Sequence, residues 1–258
     1  MIKVKPTENL TGVTIQGDFN DFYELVESIH RITGVDEDRS EIYYGVKHRL
    51  LGICYEIRHA FMGDREIILE ENGMCESIMK WHEMITPTKN VYYSVNILFP
   101  EAIFMAASVP KMYFFSSIYY GMYRRKRIDK DKSFSAMLYA EYIRDKANLE
   151  VLCAGVWQAV GEVIGDEELE KLFQMIQRTD ESYMYYVTHY IDKCNIELLK
   201  TDVEKRRDKI RNIAKRIVKK PQAYINMEEG LKFWAKEYNT SIYELEDMRI
   251  EYPDDFEW

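Results

Sequence analysis

The segment IKVKPTENLTGVTIQG, residues 2–17, has the sequence pattern of a β-hairpin. Apolar and polar residues alternate in IKVKP and in GVTIQG, and the TENLT between them is rich in turn-forming residues. Two later segments, REIILEE (65–71) and NVYYSVNILF (90–99), are rich in β-branched or aromatic residues. Together the four segments predict a small, mainly antiparallel sheet within residues 1–99.

Three helices are predicted between these strands. The segment NDFYELVESIHRITG carries apolar residues at helical spacing, with Asn20 as the expected N-cap and Gly34 as the expected stop. Residues 40–62 form the second predicted helix, which ends at Gly63. The segment CESIMKWHEMI forms a short third helix.

From Pro100 onward the sequence pattern is helical. Asp166 and Asp180 are each expected to cap the start of a helix. The other predicted helices cover residues 102–123, 133–165, 203–220 and 226–238, with a short one from Ser241. Strands first and helices afterwards indicate an α+β fold. We therefore expect one domain, with a sheet-containing part (1–99) and a C-terminal helical bundle (100–258).

Composition places the chain among folded globular proteins. It has 258 residues, 47% of them hydrophobic, with only 12 glycines and 6 prolines. The four cysteines are scattered without a C-x-x-C pair, which argues against a zinc knuckle or a disulfide framework. No apolar stretch follows the first lysines, so we expect no secretory signal and a cytoplasmic location.

The apolar segment AIFMAASVPKMYFFSSIYYGMY, residues 102–123, resembles a membrane span and is followed by the basic RRKR. Pro110 and Lys111 lie at its centre, however, and a lysine there costs roughly 2.5–3.5 kcal/mol on membrane-insertion scales. We therefore expect a central buried helix and no membrane contact.

The second predicted helix has two opposite faces. Val46, Leu50, Ile53, Ile57 and Phe61 form an apolar face that should dock on the core. The opposite stripe consists of Glu41, Gly45, His48, Gly52, Tyr55 and His59. A glycine in mid-helix costs roughly 1 kcal/mol relative to alanine, so the stripe predicts the close approach of a ligand or another backbone.

Three interpretations of this stripe remain open. Glu56-x-x-His59, with a second copy at Glu27-x-x-His30, is the step found in di-iron helical bundles, but further ligand helices are not evident. General acid-base catalysis could use His48 or His59, supported by Tyr55 and Glu56. The third interpretation is a structural helix packed on both sides, and we favour it. We predict no metal and no cofactor, and the sequence contains no glycine-rich phosphate loop.

Charge is unevenly distributed along the chain, whose formal net charge is −9. Residues 203–220 carry nine basic and two acidic residues, residues 124–132 carry six and two, and residues 244–258 carry seven acidic residues. The basic helix predicts either contact with nucleic acid or an acidic partner, or an ordinary surface helix whose bases pair with the acidic tail. The candidate contact residues are Arg206, Arg207, Lys215, Arg216 and Lys219.

The chain contains 20 tyrosines and 13 methionines, concentrated in segments such as YMYYVTHY (183–190) and MYFFSSIYYGMY (112–123). Because tyrosine and methionine are favoured at protein interfaces, these segments predict a homo-oligomer or contact with a protein partner. The alternative is a tyrosine-lined core, which would explain much of the pattern. Our leading functional hypothesis is a non-enzymatic binding or adaptor protein. The alternatives are a nucleic-acid-associated protein, for example in phage defence, and an enzyme with its site at the His48, Tyr55 and His59 stripe.

Several segments also resemble a family of uncharacterised bacterial proteins, mostly from Firmicutes. The resemblance is carried by NLTGVTIQGDFNDFYELVESIH, LLGICYEIRHAFMGDREI, NVYYSVNILFPE, EKRRDKIRNIAKRI and EYPDDFEW. It spans nearly the whole chain and implies a bacterial cytosolic protein. It implies no activity, and no catalytic or binding residue can be transferred from it.

Overall fold

The computed structural model describes residues 1–33, 43–119, 136–178, 183–245 and 250–258. Within these ranges a four-stranded sheet near the start of the chain is followed by helices, so the predicted α+β fold is confirmed. The buried core extends from Val13 in the sheet to Tyr224 in the late helices, which joins the two parts through apolar contacts.

The sheet is antiparallel throughout and has the strand order β1-β2-β4-β3. Its strands are β1 (Lys3–Pro6), β2 (Gly12–Gly17), β3 (Glu66–Glu71) and β4 (Lys89–Leu98). All four were predicted from the alternation or the composition of their segments.

One face of the sheet carries the core. Val13 pairs with Ile97 and Ile15 pairs with Val95, and all four side chains are buried beneath helices. Side chains alternate between the two faces of a strand. The opposite face accordingly presents polar residues, among them Lys3, Lys5, Gln16 and Asn96.

Nine α-helices lie in the described residues. They are α1 (Phe19–Thr33), α2 (Tyr44–His59), α3 (Glu76–Trp81), α4 (Phe99–Tyr119), α5 (Ala136–Ile164), α6 (Asp166–Arg178), α7 (His189–Leu199), α8 (Val203–Lys219) and α9 (Gln222–Tyr238). A π-helical turn, Ala60–Asp64, extends α2, and the short segments Tyr183–Tyr185 and Ile242–Glu244 are 3-10 helices. Gly63 has φ +92°, so a glycine ends the α2 segment as predicted.

Two predicted helix starts are wrong. Asp18, rather than Asn20, caps α1, because its side-chain Oδ1 accepts a hydrogen bond from the Asp21 N–H at 2.8 Å. The helix expected from Asp180 begins only at His189, after a 3-10 turn. Asp180 itself, like Gly34, lies outside the described residues.

The apolar helix α4 runs through the core, as expected. Ala102, Ile103, Phe104 and Val109 on it are fully buried, whereas Pro110 and Lys111 emerge at the surface. No helix in the described ranges has both the length and the apolar character needed to cross a membrane.

Helix α5 packs against the edge strand β1 on the core face of the sheet. At Gly155 a Cβ would lie 2.7 Å from the Val4 Cγ2 of β1, so the absence of a side chain allows the helix to approach the edge strand. The other edge strand is β3, which pairs with β4 alone among the described strands.

Candidate interaction surface

The apolar face of α2 docks on the core as predicted, with Val46, Leu50, Ile53 and Ile57 buried. The glycine prediction holds at Gly45, where a Cβ would lie 2.9 Å from the Thr188 Cγ2 and from the Tyr243 ring. At Gly52 an added Cβ would meet no atom of the described residues within 4 Å, so no backbone of this part of the chain approaches it. Glu41, the first member of the stripe, lies outside the described residues.

The described titratable members of the stripe, His48, Tyr55 and His59, lie at the surface in local contacts. His48 is exposed and stacks on Tyr44, with 5.7 Å between ring centroids. Tyr55 contacts His59 at 4.2 Å between centroids, and the His59 Nδ1 lies 2.7 Å from Asp64 Oδ2. These contacts join residues within the α2 segment. They do not bring His48 together with the other candidate catalytic residues, Tyr55, Glu56 and His59.

Neither E-x-x-H step forms a metal cluster in the structure. Glu56 pairs with Arg65 at 2.8 Å, whereas His59 lies beside Asp64. The two members of this step therefore have different partners. In the other copy, Glu27 pairs with Arg31, whereas the His30 Nε2 lies 3.5 Å from the Cys54 Sγ. Over the described ranges, three or more His, Cys, Asp or Glu side chains do not converge as metal ligands.

Helix α8 contains one candidate contact residue that lies in the interior. Arg206 is buried, and its guanidinium donates to the Asn9 carbonyl and to the Thr11 Oγ1, each at 2.7 Å, and to the Thr201 carbonyl. Burial lowers the pKa of this arginine. Arg206 therefore anchors the β1–β2 turn to α8 and is not placed to contact a phosphate backbone, which corrects its assignment as a candidate.

The remaining bases of α8 divide into paired and exposed residues. Lys215 pairs with Glu168 of α6 at 2.6 Å, and the hydrogen bonds from Lys215 and Lys171 lower the pKa of Glu168 to about 2. Arg216 pairs with Glu197 of α7 at 2.6 Å. Arg207 and Lys219 are exposed. The acids that pair with Lys215 and Arg216 thus come from neighbouring helices, whereas the sequence suggested the acidic tail.

Three of the tyrosines in the segment 183–190 lie in the core, whereas Tyr185 is exposed. Tyr183, Tyr186 and Tyr190 are buried, and the Tyr186 ring contacts Tyr224 at 4.7 Å between centroids. In the second tyrosine-rich segment, Met112 and Tyr113 are also buried, although Phe114 is exposed. A tyrosine-lined core therefore accounts for Tyr113, Tyr183, Tyr186 and Tyr190.

Sequence patterns did not identify a charged network that joins three helices. Arg49 of α2 pairs with Glu101 of α4 at 2.5 Å and with Asp192 of α7, while Tyr252 donates to Asp192 and accepts from Asn195. Burial raises the pKa of Glu101, although the adjacent Arg49 acts in the opposite direction. The members are far apart in sequence, so local periodicity gave no signal. The network holds helices together and fixes the segment around Tyr252.

The outer part of the sheet carries exposed apolar side chains. Ile67 pairs with Tyr93 and Leu69 pairs with Val91, so these residues continue the core face of β2 and β4. Yet Leu69 is 58% exposed, and Ile67 and Val91 are also exposed. The core face of the sheet therefore extends beyond the helices that cover its centre.

The connection between β3 and β4 adds further apolar residues. Trp81, at the end of α3, is 83% exposed, and Ile85 after it is 99% exposed. We call Ile67, Leu69, Val91, Trp81 and Ile85 the apolar edge. The sequence predicted the strands and α3 but not their exposure. The available signal was three consecutive apolar residues, 67–69, which place an apolar side chain on each face of β3.

Comparison with known families identifies a match over almost the whole chain. A family model described as a domain of unknown function, DUF6904, matches residues 2–258. Comparison with curated proteins and with solved structures gives no significant match.

Proposed function

The chain belongs to the DUF6904 family, whose function is unknown, and we propose that it is a non-enzymatic binding protein that contacts another polypeptide chain through the apolar edge. The observation that carries this proposal is the exposure of Leu69, Trp81 and Ile85 on one β3–α3–β4 unit. Large apolar side chains exposed on one structural unit are typical of protein interaction sites, because water contact with them is unfavourable.

The occupant that fits the apolar edge is an extended strand of the partner chain. Strand β3 is at the end of the strand order, so the backbone groups on its outer side can accept a further strand. Ile67 and Leu69 on one face would contact apolar side chains of that strand. Arg65 and Glu71 flank them, which favours a strand with an acidic residue at one end and a basic residue at the other.

The two alternative functions receive less support from the described residues. The enzymatic alternative relies on His48, Tyr55, Glu56 and His59, which lie at the surface in local contacts. For the nucleic-acid alternative, several bases of α8 are held by internal partners. The resemblance to Firmicutes proteins leads us to propose further that the protein acts in a bacterial cytoplasm.

One cysteine provides a reporter for the apolar edge. Cys75 is exposed just before α3, and the hydrogen bond with Ser77 lowers the pKa of its thiol. Burial raises the pKa of Cys54, Cys153 and Cys194 to about 12. An environment-sensitive fluorophore should therefore react selectively at Cys75, because the thiolate is the nucleophile.

The test is a titration of this labelled protein with a short peptide of alternating valine and threonine, carrying arginine near its N-terminus and glutamate near its C-terminus. We expect a saturable fluorescence change, and Leu69→Lys should weaken binding about tenfold, equivalent to about 1.4 kcal/mol. The matched control is Val151→Lys, which changes an exposed valine on α5 and should leave binding unchanged. A proline-containing peptide that binds equally well, or an unaffected Leu69→Lys variant, would overturn the proposal.

A further inference from the structure

We propose that the strand bound at the apolar edge is β3 of a second copy of this chain, paired antiparallel about a two-fold axis at Ile68. This inference rests on the proposed function and names the partner. A symmetric pair of edge strands would join two four-stranded sheets into one continuous sheet. The argument for it comes from the order of residues in REIILEE (65–71).

Symmetry restricts how two copies of β3 can pair. Residues directly opposite each other in an antiparallel pair point to the same face of the sheet, and side chains alternate between faces along a strand. A residue of one copy therefore lies opposite either the same residue of the second copy or one that is an even number of positions away in sequence. With Ile68 on the axis, Ile67 faces the partner subunit's Leu69 and Arg65 faces the partner subunit's Glu71. The whole face then consists of apolar pairs in the centre and opposite charges at both ends.

The neighbouring registers lack this complementarity. With Ile67 on the axis, Arg65 faces the partner subunit's Leu69. With Leu69 on the axis, Ile67 faces the partner subunit's Glu71. Each of these two registers places a charged side chain opposite an apolar one. On the face that carries Ile67 and Leu69, the Ile68 register has no such mismatch.

The opposite face of β3 is less favourable and limits the affinity. In the Ile68 register, Glu66 faces the partner subunit's Glu70, and like charges directly opposite repel. Lys3 reduces this repulsion, because its Nζ lies 3.7 Å from Glu70 Oε2 on the same face of the sheet. We therefore expect reversible association that depends on protein concentration.

The charged residues at the ends also have partners within the chain. Arg65 pairs with Glu56 at 2.8 Å, and Glu71 pairs with Lys89 at 3.1 Å. All four side chains are at least one-third exposed, so a second copy can reach them. Pairing of two chains would extend each ion pair into a larger network in which opposite charges alternate.

The experiment is analytical ultracentrifugation of the full chain over a concentration series, with charge-reversal variants. Arg65→Glu places two glutamates opposite each other at both ends of the pair, and Glu71→Arg places two arginines there. Each single variant should weaken association about tenfold or more. A mixture of the two variants should regain it, because every end of the mixed pair again joins a glutamate and an arginine. Misfolding would not be rescued by mixing.

The outcomes separate this inference from the proposed function. A chain that is monomeric at every concentration but still binds the valine-threonine peptide overturns self-pairing and leaves the proposed function in place. A monomeric chain that binds no peptide overturns both. A dimer that neither charge reversal weakens forms through another surface, and this outcome also overturns self-pairing.

Discussion

The two edges of the sheet differ in how their apolar residues are covered. On β1, the Val4 side chain lies against α5 at Gly155, so the helix covers the core face at this edge. On β3, Ile67 and Leu69 lie on the same face of the sheet but remain exposed. Strand sequence alone does not distinguish the two edges. The difference lies in whether a helix comes close enough to cover the apolar side chains of the edge strand. At β1 this close approach depends on Gly155.

The largest expected effect comes from opening the covered edge. Replacing Gly155 by leucine would place side-chain atoms where Val4 already lies, since even a Cβ would be 2.7 Å from the Val4 Cγ2. Both elements have to move apart, and overpacking of this kind costs about 1–3 kcal/mol. We expect Gly155→Leu to lower the free energy of unfolding by about 3 kcal/mol in urea denaturation.

Gly52→Ala is the matched control for that substitution. Gly52 is also a glycine inside a long helix, but an added Cβ there would have open space around it. Alanine there should raise the free energy of unfolding by about 0.5–1 kcal/mol, because it favours the helix over the unfolded chain. Equal effects of the two substitutions would show that Gly155 does not allow the helix to cover the edge.

A smaller difference in unfolding free energy is expected when an apolar residue is replaced by lysine at each edge of the sheet. Val4→Lys removes an apolar contact with α5, and we expect a loss of about 1–2 kcal/mol of unfolding free energy. Leu69→Lys changes a side chain that is already exposed, so stability should change by less than about 0.5 kcal/mol. The measurement is urea denaturation at a protein concentration low enough to keep the chain monomeric. A large loss at Leu69 would contradict an open edge.

The smallest effect concerns the polar face that both edge strands share. Lys3 of β1 and Glu70 of β3 form an ion pair across the sheet, and both side chains are about half exposed. Because exposed pairs are screened by water, Glu70→Gln should lower the unfolding free energy by less than about 1 kcal/mol, and added salt should reduce the difference further. Thermal denaturation at low and high salt measures it. A salt-independent loss would indicate a stronger link between the edges.

Local sequence patterns predicted most of the fold for an identifiable reason. The alternation in β1 and β2 and the apolar face of α2 depend on residues a few positions apart, which periodicity detects. The start of α7 was placed too early because the tyrosine-rich segment before it is apolar enough to suggest a helix. There Tyr183 and Tyr186 instead fill the core from a short 3-10 turn and an irregular segment.

The candidate sites were harder to predict, because they depend on burial and on distant partners. The residue types in the α2 stripe suggested chemistry, but helical spacing could not show that His48 and Tyr55 face solvent. Arg206 looked like the surface bases beside it until its partners Asn9 and Thr11 were known. The exposure of the apolar edge likewise depends on where the helices end relative to the sheet.

The Arg206 anchor has a consequence for how the chain folds during synthesis. It joins α8 to the β1–β2 turn across a sequence separation of 197 residues at Asn9. At a translation rate of about 5–20 residues per second, Asn9 is synthesised on the order of 10–40 seconds before its anchoring arginine. Until then the β1–β2 turn lacks the hydrogen bonds that Arg206 donates. Because docking of this turn on α8 must close a long loop of chain, it is a late folding step.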